Sequence, residues 1–240
     1  IFQTIDLYDE LVVSEIENKQ CIVECDAFEL PKKNTLTLSY EAFCSVSDVD
    51  VPGVKVNLKK GIPSGGGLGG GSADAAALVR VLQKMCGIKL SDEKLDLIAS
   101  KTGSDVFFFQ HCDDEGKGCA LVSGRGEVVK KIIPRDDLFL LLIFPKVSSS
   151  TKEAYDLVDK YLAKKDKVKG PGLAELEDVY RKAVNQWNFV NTFTPALSKK
   201  YKEIEAALID LKKVGSEYVE MSGSGSTVFG VYTLEQQAIS

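Results

Sequence analysis

Apolar and polar residues alternate at several places in the first quarter of the chain. Residues 1–16 read as one or two strands, and a turn at Asn18-Lys19 leads into a further strand, Cys21–Cys25. Val54, Val56 and Leu58 alternate through a strand over 54–59. Between these strands Leu36, Tyr40 and Phe43 recur at helical spacing, which predicts a short helix over 34–44. Ala76, Val79 and Leu82 mark the inward face of a helix over 73–86, stopped by Gly87. Ser91 opens another helix, with Asp92 and Glu93 placed well against its dipole, and this one ends before Gly103. Residues 119–122 and 128–133 form a hairpin around Gly124-Arg125-Gly126-Glu127. Seven apolar residues, 138–144, make a buried strand stopped by Pro145 that opens a second domain. Residues 164–172 are polar, lysine-rich and end in Gly-Pro-Gly, so they read as a connection. Helices are expected over 173–184 and 196–214, the latter with Leu197, Tyr201, Ile204, Leu208 and Leu211 on its core face. Strands Tyr218–Met221 and 227–232 follow, then a last helix capped by Thr233. The expected fold is α+β in two domains, 1–136 and 137–240.

The break in this pattern is the stretch 63–77, P-S-G-G-G-L-G-G-G-S-A-D-A-A-A, with Leu68 alone between two glycine triplets. Glycine has no Cβ, so its backbone takes positive φ and comes close to a ligand. Ser72 can cap the helix that follows, whose free N–H groups face back toward the glycines. Such a loop at a helix N-terminus is an anion site, most simply for phosphate. A flexible linker joins domains, whereas this loop joins an alternating strand to an amphipathic helix. The Walker pattern is excluded, because no lysine occurs between Lys60 and Lys84. The dinucleotide pattern fits Gly65, Gly67 and Gly70, as any glycine run would. Its acidic partner, about 20 residues on, falls at Asp92 or Glu93, a helix start rather than a strand end.

Composition narrows the classes. A chain of 240 residues with 44% hydrophobic and 27% charged residues is ordinary for a folded globular protein. Its net charge of −5 argues against a nucleic-acid surface. Six cysteines without a C-x-x-C pair read as free thiols of a cytosolic protein. The longest apolar run is too short to span a membrane, and no signal or transit segment is visible. The ligand-type residues in His111-Cys112-Asp113-Asp114-Glu115 are consecutive, which suits an acidic turn rather than a metal site. Asp105 precedes four apolar residues and so stands where the chain enters the core, a costly place for a carboxylate unless it is paired or used.

The glycine-rich stretch resembles the phosphate loop of the GHMP kinases, the superfamily of galactokinase, homoserine kinase and mevalonate kinase. Further segments resemble the same family: F-Q-T-I-D-L-Y-D-E near the start, G-S-D-V-F-F-F at 103–109, V-S-S-S-T-K-E-A-Y at 147–155, and S-G-S-G-S at 222–226. Phe107 stands where the family's G-A-D-V-P-F has proline. The resemblance implies a two-lobed fold: a ribosomal-protein-S5-domain-2-like ATP lobe and a ferredoxin-like α/β-sandwich substrate lobe. It implies ATP at Asn34, Lys60, Pro63, Gly65, Gly66, Gly67, Leu68, Gly69, Gly70, Gly71 and Ser72, with Ser72 also on Mg²⁺ and Asp105 as catalytic base. It places the acceptor against Thr151, Tyr155, Ser222, Gly223 and Gly225. For several of these a plain reading stands alongside, with Asn34 and Thr151 as helix caps, Lys60 as a solvated strand end, and Tyr155 packed inward. The triple glycine on each side of the leucine is similar to one branch of the family. That branch implies transfer of the ATP γ-phosphoryl group to the 2-hydroxyl of 4-diphosphocytidyl-2-C-methyl-D-erythritol, in the cytoplasm, with neither nucleic acid nor membrane as partner. A different small-molecule acceptor, or a relative that binds nucleotide without transfer, stays open. The family's K-x-N and R-x-D-G-Y-H motifs, which carry a lysine that assists the base and a histidine that reads cytosine, are expected before Ile1. Both ends of the chain look truncated.

Overall fold

The computed structural model describes residues 1–147, 150–163 and 169–239. Its contacts divide the chain into two units, Ile1–Ile62 with Gly69–Pro134, and Pro63–Leu68 with Arg135–Ser240.

In the first unit, β4 (Gly53–Lys59) is the centre of a sheet ordered β2–β4–β3, where β2 is Glu10–Ile16 and β3 is Cys21–Cys25. β2 runs antiparallel to β4, whereas β3 runs parallel to it, with Val23 opposite Val56. A parallel neighbour needs a crossover, and helix α1 (Thr35–Val46) supplies it. Alternation in β4 turns Val54, Val56 and Leu58 to one side, where they pack with Leu36, Tyr40 and Phe43 of α1. Leu78, Val79 and Leu82 of α2 (Gly70–Met85) complete this core. Each such fully buried aliphatic side chain contributes roughly 1.5–3 kcal/mol. Helix α3 (Asp92–Thr102) and the short α4 (Val106–Gln110) follow. A second antiparallel sheet joins β1 (Phe2–Gln3), β5 (Cys119–Ser123) and β6 (Val128–Lys131) in the order β1–β5–β6.

The second unit holds an antiparallel sheet, β7 (Phe139–Ile143), β9 (Val228–Tyr232) and β8 (Tyr218–Met221), with β9 in the middle. Ala154 and Val158 of α5 (Thr151–Leu162), Leu197 of α7 (Thr194–Lys200) and Ile204 and Leu211 of α8 (Lys202–Lys213) pack with Met221 and Val228. Helix α9 is Glu235–Ile239. Residues 148–149 and 164–168, parts of two segments singled out above, lie outside the described residues.

Four local expectations change. Helix α2 begins at Gly70, and Gly69 rather than Ser72 is its N-cap. The N–H groups of Ser72 and Ala73 both donate to the Gly69 carbonyl at 2.9 Å, which makes Ser72 part of the first turn. The helix expected over 173–184 is broken into a 3₁₀ turn, α6 (Leu176–Arg181) and a second 3₁₀ turn. Arg135 ends α6 by donating from its guanidinium to the carbonyls of Tyr180 and Lys182 at 3.4 and 2.8 Å. The helix expected over 196–214 is two, interrupted where Tyr201 becomes extended at φ −109°, ψ 103°. The apolar period runs straight through that break, so periodicity alone does not reveal it. Thr233 does not cap α9; its N–H and hydroxyl donate to Glu217 at 2.9 and 2.5 Å.

Candidate active site

The first half of the glycine loop, Pro63–Leu68, packs within the second unit. The N–H of Thr227 donates to the Gly66 carbonyl at 3.1 Å, and the Ser222 hydroxyl to that of Gly67 at 2.8 Å. The contact is too close for a side chain, since a Cβ on Gly67 would lie 2.3 Å from the Ser222 carbonyl oxygen. Gly67 also sits at φ +75°, a region that L side chains rarely adopt. In a trans peptide the C=O and the following N–H point opposite ways. With the carbonyls of Gly66 and Gly67 held in the 222–227 turn, the N–H groups of Gly67 and Leu68 therefore point away from it. Among the described residues, the N–H groups of 67–71 donate to no backbone carbonyl. Five consecutive free donors leading into the positive end of a 16-residue helix suit a polyanion.

The second half of the loop belongs to the first unit. A Cβ on Gly69 would come 3.0 Å from the Phe109 ring, one on Gly70 3.0 Å from Ile62 and one on Gly71 3.3 Å from the Thr35 hydroxyl. The hydroxyl of Ser72, half-buried, has no hydrogen-bond partner among the described residues.

Lys60 is not a solvated strand end. Its ammonium pairs with Asp9 and, at 3.3 Å, with Asp74, and the side chains of the three are only 9, 2 and 5% exposed. The second carboxylate oxygen of Asp9 accepts from the N–H groups of Gly61 and Ile62, both at 2.8 Å. Burial pushes the Asp9 carboxyl up, but hydrogen bonds from Ile62, Lys60 and Gly61 outweigh it and hold the group below the usual carboxylate range. Asp74 lacks such backbone donors, and burial pushes it up to about 7 despite Lys60. Burial also works against the Lys60 ammonium, yet the two aspartates keep it above the ordinary lysine value.

Asp105 occupies the N-cap position of α4 but caps nothing, and its side chain has no partner among the described residues. It is not buried as its neighbours led one to expect: Val106, Phe107 and Phe108 turn inward while Asp105 stays at the surface. The packed protein around it still raises its carboxyl above the ordinary value. Phe107 packs with Ala75, Ala99 and Val106, so the residue in the proline position serves the core.

Asn34 is the N-cap of α1: its Oδ1 accepts from the N–H groups of Leu36 and Thr37, and its Nδ2 donates to the Pro31 carbonyl. That is the plain reading of this residue. In the second unit Ser150, not Thr151, caps α5, and Thr151 is exposed. Tyr155 does not pack inward; it is 57% exposed, its ring edge-on to Phe193 at 5.0 Å. Gly223 and Gly225 take φ +52° and +80° in the tight turn closed by Gly225 N–H to Ser222 O at 2.9 Å. His111 Nε2 donates to the Asp96 carboxylate at 2.9 Å, and no group of three or more His, Cys, Asp or Glu among the described residues is placed to hold a metal.

Sequence reasoning missed Asp9, Asp74 and Thr227. Asp74 had a visible signal, a carboxylate four residues before Leu78 on the inward face of an alanine-rich helix. Asp9 and Thr227 had none, because their partners lie far along the chain.

The chain matches two family profiles, GHMP kinases N terminal domain over residues 34–113 and GHMP kinases C terminal over 173–240. A 4-diphosphocytidyl-2-C-methyl-D-erythritol kinase of Treponema pallidum is 35% identical over 244 residues, covering 99% of this chain and 82% of that one. One from Thermotoga maritima is 38% identical, covering 98% and 83%. A crystal structure of 4-(cytidine 5'-diphospho)-2C-methyl-D-erythritol kinase superposes with a TM-score of 0.71 at 26% identity, covering 95% of this chain and 78% of the other. A homoserine kinase from Cytophaga hutchinsonii shares the fold, with a TM-score of 0.70 at 18% identity over 96% of this chain and 78% of its own.

Proposed function

The chain belongs to the GHMP kinases, and from that membership we propose that it transfers the γ-phosphoryl group of ATP to the 2-hydroxyl of 4-diphosphocytidyl-2-C-methyl-D-erythritol, a step in non-mevalonate isoprenoid synthesis. The observation that carries this choice of acceptor is the near-full-length likeness to several kinases of that name.

Phosphoryl transfer asks a protein for positioning, charge neutralisation and a base. The free amides of 67–71 and the N-terminus of α2 receive the triphosphate. Mg²⁺ in such sites keeps several waters and binds substrate phosphates, and the Ser72 hydroxyl, without a partner among the described residues, would be a protein ligand for it. When bound, the ion neutralises charge on the phosphates. Asp105, with no competing partner among the described residues, takes the proton of the 2-hydroxyl. That oxygen forms the new bond to the γ-phosphorus as the bond to the β–γ bridging oxygen breaks, and ADP leaves. Tyr155 offers an exposed ring for cytosine, braced by Phe193, with Thr151 one turn earlier as a polar contact. Gly223 and Gly225 shape the turn beside the acceptor. Six free thiols agree with a reducing, cytoplasmic setting. No helix among the described residues is long and apolar enough to cross a membrane.

The test is an ADP-release assay on the full-length protein with ATP and Mg²⁺, offering the cytidylated acceptor, homoserine or mevalonate, with ³¹P NMR of the product. ADP release with the cytidylated acceptor alone and a 2-phosphate ester are expected. Preference for another acceptor, or ATP binding without transfer, would overturn the assignment.

A further inference from the structure

We propose that Asp9, Lys60 and Asp74 form a positioning cluster that holds the two flanks of the glycine loop together and so orders its amides before nucleotide arrives. This rests on the reading of the loop as the phosphate site. The three side chains come from the segment before β2, the end of β4 and the second turn of α2, all in the first unit. Asp9 grips the entry to the loop through the N–H groups of Gly61 and Ile62. Asp74 stands on the exit, and the Lys60 ammonium joins the two carboxylates. Entry and exit touch directly: a Cβ on Gly70 would lie 3.0 Å from Ile62 and 3.4 Å from Asp9 Oδ2.

Stability alone does not call for charges here. A buried ion pair is weak evidence for stability, and apolar residues of similar volume often hold a fold equally well. What the cluster adds is direction, because the hydrogen-bonded atoms of Asp9 and Lys60 fix where Gly61 and Ile62 lie relative to α2. Asp74 makes the arrangement asymmetric, since two carboxylates share one ammonium and the one without backbone donors holds its proton to about pH 7. Lys60 is thus a positioning residue. Its ammonium is occupied by two aspartates, and it acts on the nucleotide through the loop.

The experiment uses this chain without ligand, with a non-hydrolysable ATP analogue, and with 4-diphosphocytidyl-2-C-methyl-D-erythritol. Lys60→Met leaves two carboxylates facing each other and risks the fold. Asp74→Ala is the safer variant, since it leaves a balanced Asp9–Lys60 pair and adds an alanine to an alanine-rich helix. In ligand-free Asp74→Ala, hydrogen exchange should speed up over residues 61–73. Affinity for the ATP analogue should fall about tenfold or more, with affinity for the cytidylated acceptor unchanged. Leu78→Ala, a core truncation on the same helix, should lower the melting temperature without changing nucleotide affinity where the protein is folded. Unchanged exchange in Asp74→Ala would overturn the cluster. Faster exchange with unchanged nucleotide affinity, or equal loss for both ligands, would overturn its role in nucleotide binding. If the unaltered chain bound no ATP analogue while exchange still sped up in the variant, the phosphate reading would fall and the ordering of the loop flanks would stand.

Discussion

At residue 67 a single methyl group has nowhere to go. It would meet the carbonyl oxygens of Ser222 and Gly225 at 2.3 and 2.9 Å, and the φ of +75° adds strain of its own. A residue with a side chain in left-handed backbone costs roughly 1–2 kcal/mol, before any collision with backbone atoms. Gly67→Ala should therefore weaken binding of a non-hydrolysable ATP analogue by at least about tenfold. Because the collision is with the 222–227 turn, it should also lower the thermal stability of the second unit while sparing the α1–α2 core. Calorimetric titration and thermal unfolding measure both, and unchanged affinity would detach this glycine from the phosphate site. Asp105 makes a different prediction. It caps nothing and pairs with nothing among the described residues, so Asp105→Asn should cost little stability. A positioned base contributes about 10²–10⁴-fold, so kcat should fall at least about 10²-fold with ATP affinity nearly constant. Near-normal kcat would remove Asp105 from the chemistry.

Within elements, helix α2 carries a group that ties stability to pH. Burial pushes Asp74 up to about 7 from an ordinary 3.8, so the folded chain holds this proton more tightly than the unfolded one. Stability from this group is then full at low pH and declines as pH rises between these two values. Asp9 runs the other way: its carboxyl is held low, and its contribution is lost only in acid. The charged groups that face Asp74 are Lys60, at the end of β4, and Asp9, from the segment before β2. Asparagine at 74 cannot ionise. The melting temperature of Asp74→Asn relative to the unaltered chain should accordingly shift in the variant's favour between about pH 5 and about pH 8. A constant difference across that range would show that burial of Asp74 is not what couples the helix to pH.

On the scale of the whole molecule, the residues proposed for nucleotide and acceptor are distributed over the two units. Lys60, Ser72 and Asp105 belong to the first, Thr151 and Tyr155 to the second, and the glycine loop contributes to both. Substitutions should therefore separate the two substrates kinetically. Tyr155 is more than half exposed and contributes little to the core, so Tyr155→Ala should leave folding and the KM for ATP near normal. Stacking of a base on an aromatic ring is worth about 1–3 kcal/mol, so the KM for the cytidylated acceptor should rise about five- to 150-fold. Equal changes in both KM values would point to a structural role for the ring.

Local physics was legible in the chain before any coordinates. The strands expected at Cys21–Cys25 and Tyr218–Met221 are β3 and β8 with those bounds, and the alternating Val54, Val56 and Leu58 form the buried side of β4, because a strand with one buried face must alternate. Ser91 opens α3 and Gly87, at φ +63°, closes α2, since caps and left-handed stops depend on a few adjacent residues. The glycine loop pointed to the family in the same way. Tertiary structure alone decided the rest. It made β3 the parallel partner of β4, and it broke the helices at Lys182 and Tyr201. It brought Asp9 to Lys60 across 51 positions and Ser222 to Gly67 across 155. Periodicity reports which face of an element is buried, but not what buries it. Partners that distant are chosen by the packing of whole elements, and only the folded chain contains that information.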